Sequence, residues 1–229
     1  MYKHDYSEYT ATYTLSDGTE VKESNIFLPN KKAGFIERGS IFKNYGTGLS
    51  PKNDCIKMDS TIKIKGVTWT FGGVYEMYHD FGSMFDDCQY IGKGDSHKQV
   101  NTKDKKHKKG RSPVTRVNEF AGGVYNQFQK NGKYSHDNCK EYFKLNKGNQ
   151  EMVLLLKCRI MPIGWGNSEY LKALIAVKEN ERQLEKNATI GQIDNPTAEQ
   201  KHIVKTAKLE KIDNPLEKFL IDEWSIKLD

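Results

Sequence analysis

The chain has 229 residues, 36% of them hydrophobic and 29% charged, and its 36 Lys and Arg against 30 Asp and Glu leave a formal charge of +6. That length suits one domain with additions and is enough to bury a real core. A mean hydropathy of −0.76 and the absence of any run near the ~20 apolar residues of a membrane span exclude a membrane helix from the expectation, and the basic excess admits a polyanionic partner without requiring one. The four cysteines, Cys55, Cys88, Cys139 and Cys158, form no CxxC pair and have no zinc-finger spacing. With no apolar core in the opening MYKHDYSEYT, they read as reduced thiols of a cytoplasmic protein.

Residues 7–28 read as a hairpin: β-branched and aromatic residues from Tyr9 to Leu15, the turn pair Asp17-Gly18, and a return from Val21 to Leu28. Pro29, Gly34, Gly39, Gly46, Gly48 and Pro51 break up the next thirty residues. Thr61–Lys65 alternates cleanly and Val67–Phe71 follows one glycine later, a second hairpin or a bent strand. Two apolar-aromatic runs, Gly73-Val74-Tyr75 and Tyr90-Ile91-Gly92, then flank a polar loop, the pattern of a long-looped hairpin.

Residues 93–113 carry eight basic residues against Asp95 and Asp104 and almost no apolar side chains, so they cannot build a core of their own. They read as a basic arm that tracks phosphates. Ser112-Pro113 opens a helix with Val114, Val117, Phe120 and Ala121 on its apolar stripe and Arg116 off it, ended or broken by Gly122-Gly123. Glu151–Met161 reads as a buried central strand, Pro162 to Gly166 as a loop, and Glu169–Asn187 as a helix capped by Asn167 or Ser168. In the tail, Ile193-Asp194-Asn195-Pro196 recurs as Ile212-Asp213-Asn214-Pro215, two successive helix starts. The expected division is a β-rich extension over 1–66, a central domain over 67–190 and a helical extension over 191–229.

The order of these pieces resembles the GIY-YIG nuclease family. GVY stands for the first half of the signature and YIG for the second, followed by a helix with an arginine, a strand, and a helix with a glutamate. The resemblance covers roughly residues 67 to 187. It implies an α+β fold, a small three-stranded antiparallel sheet flanked by helices. It also implies a one-metal, in-line hydrolysis of a phosphodiester with no covalent intermediate. The lysine directly after the YIG glycine is similar to the restriction-endonuclease branch.

Residue by residue, the resemblance implies Tyr75 as general base. A free phenol has a pKa of about 10, so it needs a cation to act as a base near neutrality, and Lys93 is expected to supply one. Tyr90 would orient water or phosphate, and Arg116 would hold the scissile phosphate in its fork of donors. His97 loosely matches a histidine seen after that lysine in some members. Glu169 would bind Mg²⁺, with Mn²⁺ a possible substitute. The sequence departs from the pattern in three places: a longer loop between the tyrosines, about twenty residues between the YIG motif and the arginine helix, and Lys178-Glu179-Asn180 where a proline-containing ending is usual. These leave Glu179 and Glu181 as alternates for Glu169, and Arg111 for Arg116. Duplex contacts are expected from Lys98, Lys103, Lys105, Lys106, Lys108, Lys109 and Arg111, with a homodimer to cut both strands of a palindrome.

The competing expectation is a DNA-binding protein without catalysis, or a nicking or repair enzyme on branched DNA. Basic charge on a small α+β domain suits binding equally well.

Overall fold

A computed structural model describes residues 6–29, 36–38, 61–64, 67–79, 87–98, 111–128, 137–146 and 156–212. The fold class is α+β. Strand β6 (Gly72–His79) pairs antiparallel with β7 (Cys88–Gly94) on one side and with β9 (Leu156–Gly164) on the other. A short fourth strand, β3 (Ile36–Arg38), extends the sheet beyond β9, giving the order β3-β9-β6-β7. The sheet is therefore one strand wider than the resemblance implies.

Two helical layers enclose it. On one face, Tyr75, Met77, Tyr90, Cys158 and Ile160 pack against Val114, Val117, Phe120 and Val124 of α1 (Pro113–Phe128) and Cys139 and Tyr142 of α2 (Asp137–Asn146). On the other, Val74, Tyr78, Ile91 and Ile163 pack against Leu171 and Ile175 of α3 (Glu169–Lys186) and Ile203 of α4 (Ala198–Thr206). Both sets follow from the period of two along a strand.

Two local expectations are corrected, and one helix was not anticipated. Gly122-Gly123 does not end α1, which runs through to Phe128 and buries Val124 beyond the glycines. Burial of that face outweighs a helix penalty of about 1 kcal/mol per glycine. Pro162 belongs to β9, not to a loop. The β6–β9 register slips there, Gly73 facing Pro162 while Gly72 faces Gly164, and such a bulge tolerates a residue without an N–H. The helix α2 went unread, although Cys139 and Tyr142 lie at helical spacing.

The two ends of the described chain meet. β1 (Tyr6–Thr14) pairs with β2 (Glu20–Pro29) through a turn containing Gly18 at φ 89. Its other edge pairs with β10 (Lys208–Lys211), so the tail contributes a strand where only helices were expected. Glu23 of β2 accepts from the backbone N–H groups of Glu169 and Tyr170, covering the free donors at the start of α3. Its charge, with burial the larger cause, pushes the Tyr13 phenol up to about 12. A third sheet is formed by β4 (Thr61–Ile64), β5 (Val67–Thr70) and β8 (His97–Lys98). Residues 213–229, which include the second expected helix start, lie outside the described residues.

Candidate active site

Tyr75 stands opposite Gly92 across the β6–β7 ladder, and Tyr90 opposite Met77, so both phenols lie on the α1 face. Their ring centroids are 5.9 Å apart and the hydroxyls share a hydrogen bond. Gly92 makes this possible: a Cβ there would sit 2.6 Å from the Tyr75 hydroxyl oxygen and 2.9 Å from Tyr90 Cε1. Close approach by a phenol is the physical reason for glycine at the end of the YIG triplet. Gly92→Ala should therefore displace both rings and destabilise the fold by about 1–3 kcal/mol, read as a lower urea midpoint at unchanged slope.

Tyr90 stacks on Phe120 of α1 at 5.5 Å and is hydrogen-bonded by Asn138 of α2. Burial raises the pKa of both phenols, furthest at the fully enclosed Tyr75. At Tyr90 the bonds from Tyr75 and Asn138 work against burial, and the Arg116 guanidinium favours the ionised form of each. Arg116 is half-buried on the second turn of α1, with Nη1 3.1 Å from Glu119 Oε2. Burial works against its charge, but Tyr75, Glu119 and Tyr90 more than offset this and hold it above the ordinary arginine value. Arg111, the alternate, is more exposed and meets the same glutamate at 3.4 Å.

Lys93 does not lie beside Tyr75. It pairs with Val74, so its side chain leaves the sheet on the opposite, α3 face. There its Nζ is 2.5 Å from Glu179 Oε2, and its backbone N–H also reaches that carboxylate. Among the described residues the cation whose charge acts on both phenols is Arg116, and the expectation that Lys93 does so is corrected. Glu179 is buried; burial raises its carboxyl pKa and Lys93 opposes the rise. Its charge is felt at both Tyr75 and Tyr90 across the edge of β7.

Of the three candidate carboxylates, Glu169 is exposed at the first turn of α3 and paired with Lys172 at 2.7 Å. Glu181 is exposed and paired with Lys178 at 2.6 Å. Glu179 alone joins the cluster; ten residues of helix separate it from Glu169, roughly 15 Å along the axis.

His97 lies on β8, its Nδ1 2.8 Å from Thr70 Oγ1, and burial lowers its pKa. Its hydrogen bonds go to Thr70 and to the Asp95 carbonyl, not to either phenol. Lys98 is exposed with its Nζ 5.4 Å from the Trp69 ring. Lys103, Lys105, Lys106, Lys108 and Lys109 lie outside the described residues.

Asn138 and Ile190 were missed by sequence reasoning. Nothing marks an isolated asparagine or an isoleucine in a polar connection, and only the unread helix α2 could have pointed to the first. Among the described residues no group of three or more His, Cys, Asp or Glu could hold a metal, so the donor set on offer is the single carboxylate of Glu179, with the charge of Asp194 nearby. One carboxylate is compatible with Mg²⁺, which keeps several waters and takes its other oxygens from phosphate. No family model, curated protein or solved structure matches the chain significantly. No described helix is long and apolar enough to cross a membrane.

Proposed function

We propose that the chain is a divalent-metal-dependent endonuclease of the GIY-YIG kind that hydrolyses phosphodiester bonds of double-stranded DNA, in the manner of a restriction enzyme. One observation carries this reading: two hydrogen-bonded phenols from adjacent strands lie within the electrostatic reach of a guanidinium from the next helix and a buried carboxylate from the last. Phosphodiester hydrolysis needs a proton acceptor for water and relief of charge on the phosphorane. The phenol pair is assigned the first need, which it can meet only when the burial that raises both phenols is relieved. Tyr75 is held against Tyr90, and Arg116 offsets the negative charge that either acquires.

Arg116 serves the second need as well. Its fork can take two phosphate oxygens, and Glu119 holds it in place meanwhile. Glu179 is the carboxylate for Mg²⁺, in place of Glu169, and Lys93 fixes its orientation from the far side. When bound, the ion would polarise the phosphate and lessen the charge on the leaving oxygen. A palindromic target would call for a homodimer.

The complete burial of Tyr75 favours a second reading, a DNA-binding protein that does not cut. Incubation with a defined plasmid and Mg²⁺, followed by sequencing of the ends, separates the two. Hydrolysis predicts discrete products, reduced by about 10²-fold or more in Tyr75→Phe with duplex binding retained. Binding with steep salt dependence and no product at any Mg²⁺ or Mn²⁺ level would remove the hydrolase reading.

A further inference from the structure

Hydrolysis requires water and a phosphate at the phenols, yet Tyr75 is 0% and Tyr90 7% exposed. The segment that helps to close them in is the connection from α3 to α4. It leaves the helix through Asn187, which sits in the left-handed region at φ 47, and lies along the edge of β7. Thr189 N–H donates to Cys88 O at 3.1 Å, Thr189 Oγ1 to the same oxygen at 3.2 Å, and Ile190 N–H to Gln89 O at 3.0 Å. The Ile190 side chain enters the cluster that holds Tyr75, Tyr90 and Phe120. Gly191 then turns at φ 91 against the outer edge of the Tyr90 ring, where a Cβ would lie 3.0 Å from Cε2. Among the described residues β7 is the outer strand of its sheet, so these bonds add to the sheet's rim and can be broken without parting any described strand from another.

We propose that residues 188–191 are an autoinhibitory strap, closed in this conformation, and that duplex DNA displaces it to open the phenol pair. The proposal rests on the hydrolase reading and assigns it a regulation. Two residues with left-handed backbone, Asn187 and Gly191, bracket the strap and supply its hinges. A short segment held by few bonds at a sheet edge belongs to the low-stability end of a fold, where local opening is accessible. The apolar side chains of the strap are few, Ile190 in one cluster and the partly buried Ala188 against the other, so opening exposes little apolar surface. It would leave the ring edge of Tyr90 open to solvent beside the Arg116 guanidinium.

The test uses the full chain and two readouts. Tyrosine acetylation mapped by mass spectrometry should find Tyr90 protected in the wild type. In Ile190→Ala it should react roughly tenfold faster or more, and in Thr189→Val, which keeps volume and loses one bond, about threefold faster. Circular dichroism selects the variants that remain folded. In the second arm, sheared plasmid DNA is added in Ca²⁺, and amide exchange at Thr189 and Ile190 should accelerate. Folded variants with Tyr90 as unreactive as in the wild type would overturn the strap, as would amides that stay protected on bound duplex while the protein cuts in Mg²⁺. A protein whose strap opens on duplex but which never cuts would instead dispose of the hydrolase reading and keep the strap as a DNA-responsive element.

Discussion

Glu179→Gln is expected to lower Mg²⁺-dependent cleavage by at least about 10²-fold, while Glu169→Gln stays within about twofold because an exposed, Lys172-paired carboxylate is worth little. The pair of variants separates two carboxylates on one helix that family order alone leaves open. Their locations decide the expectation, since Glu179 is buried against Lys93 and Glu169 is exposed. The pH profile provides a second check. Burial holds the Glu179 carboxyl above the ordinary glutamate value, so the ionised form, the one that would bind a metal, is lost on the acid side earlier than for an exposed glutamate. Lys93→Met removes the charge that opposes this rise, so the acidic limb of the pH–rate profile should move further up, not down. A limb unmoved by Lys93→Met would mean that Glu179 does not set it.

Glu76→Ala is expected to be among the most destabilising single changes in the protein, by about 3–5 kcal/mol. Glu76 is fully buried at the centre of β6, takes Arg182 Nε at 2.5 Å on one oxygen, and accepts from the Tyr78 hydroxyl on the other. Arg182 is nearly as enclosed and also meets Glu185. Truncating Glu76 leaves a guanidinium and a phenol without their shared acceptor in the interior. Replacing both Glu76 and Arg182 by Met should cost less than the sum of the two single changes, because neither half of the ion pair then remains at the sheet, although the Tyr78 hydroxyl still loses its acceptor. Urea unfolding of the two single variants and the double completes the cycle; additive losses would show that the pair is not coupled.

The parts of the fold legible in the sequence were those fixed locally. The Asp17-Gly18 turn, the two tyrosine strands, the Ser112-Pro113 helix start and Ser168 ahead of α3 each depend on backbone preferences of a few residues, and they stand where those preferences put them. Lys93 directly follows the second tyrosine strand and the resemblance assigns it to Tyr75, but it pairs with Val74 on the other face, as the period of two counted from Tyr90 along that strand already requires. Three-dimensional context decided the rest. Glu169 and Glu179 are both glutamates of one amphipathic helix, and which of them meets the sheet edge depends on how far the helix runs past it. Asn138 reaches Tyr90 from a helix about fifty residues downstream, a proximity that no spacing rule encodes. The fourth strand and the tail strand were invisible for the same reason: each is three or four residues long and acquires its conformation from a partner far away in the chain.

The pairing of β1 with β10 has a consequence for biosynthesis. Ile212 donates to the carbonyl of Glu8, and Tyr9 faces Lys211, contacts that span some two hundred residues of chain. A ribosome must therefore deliver nearly the whole described polypeptide before the ribbon of β1 and β2 can be closed on its second side. Until then β1 presents an open strand edge to whatever is nearby, which makes the nascent chain, more than the finished one, the form exposed to wrong pairing.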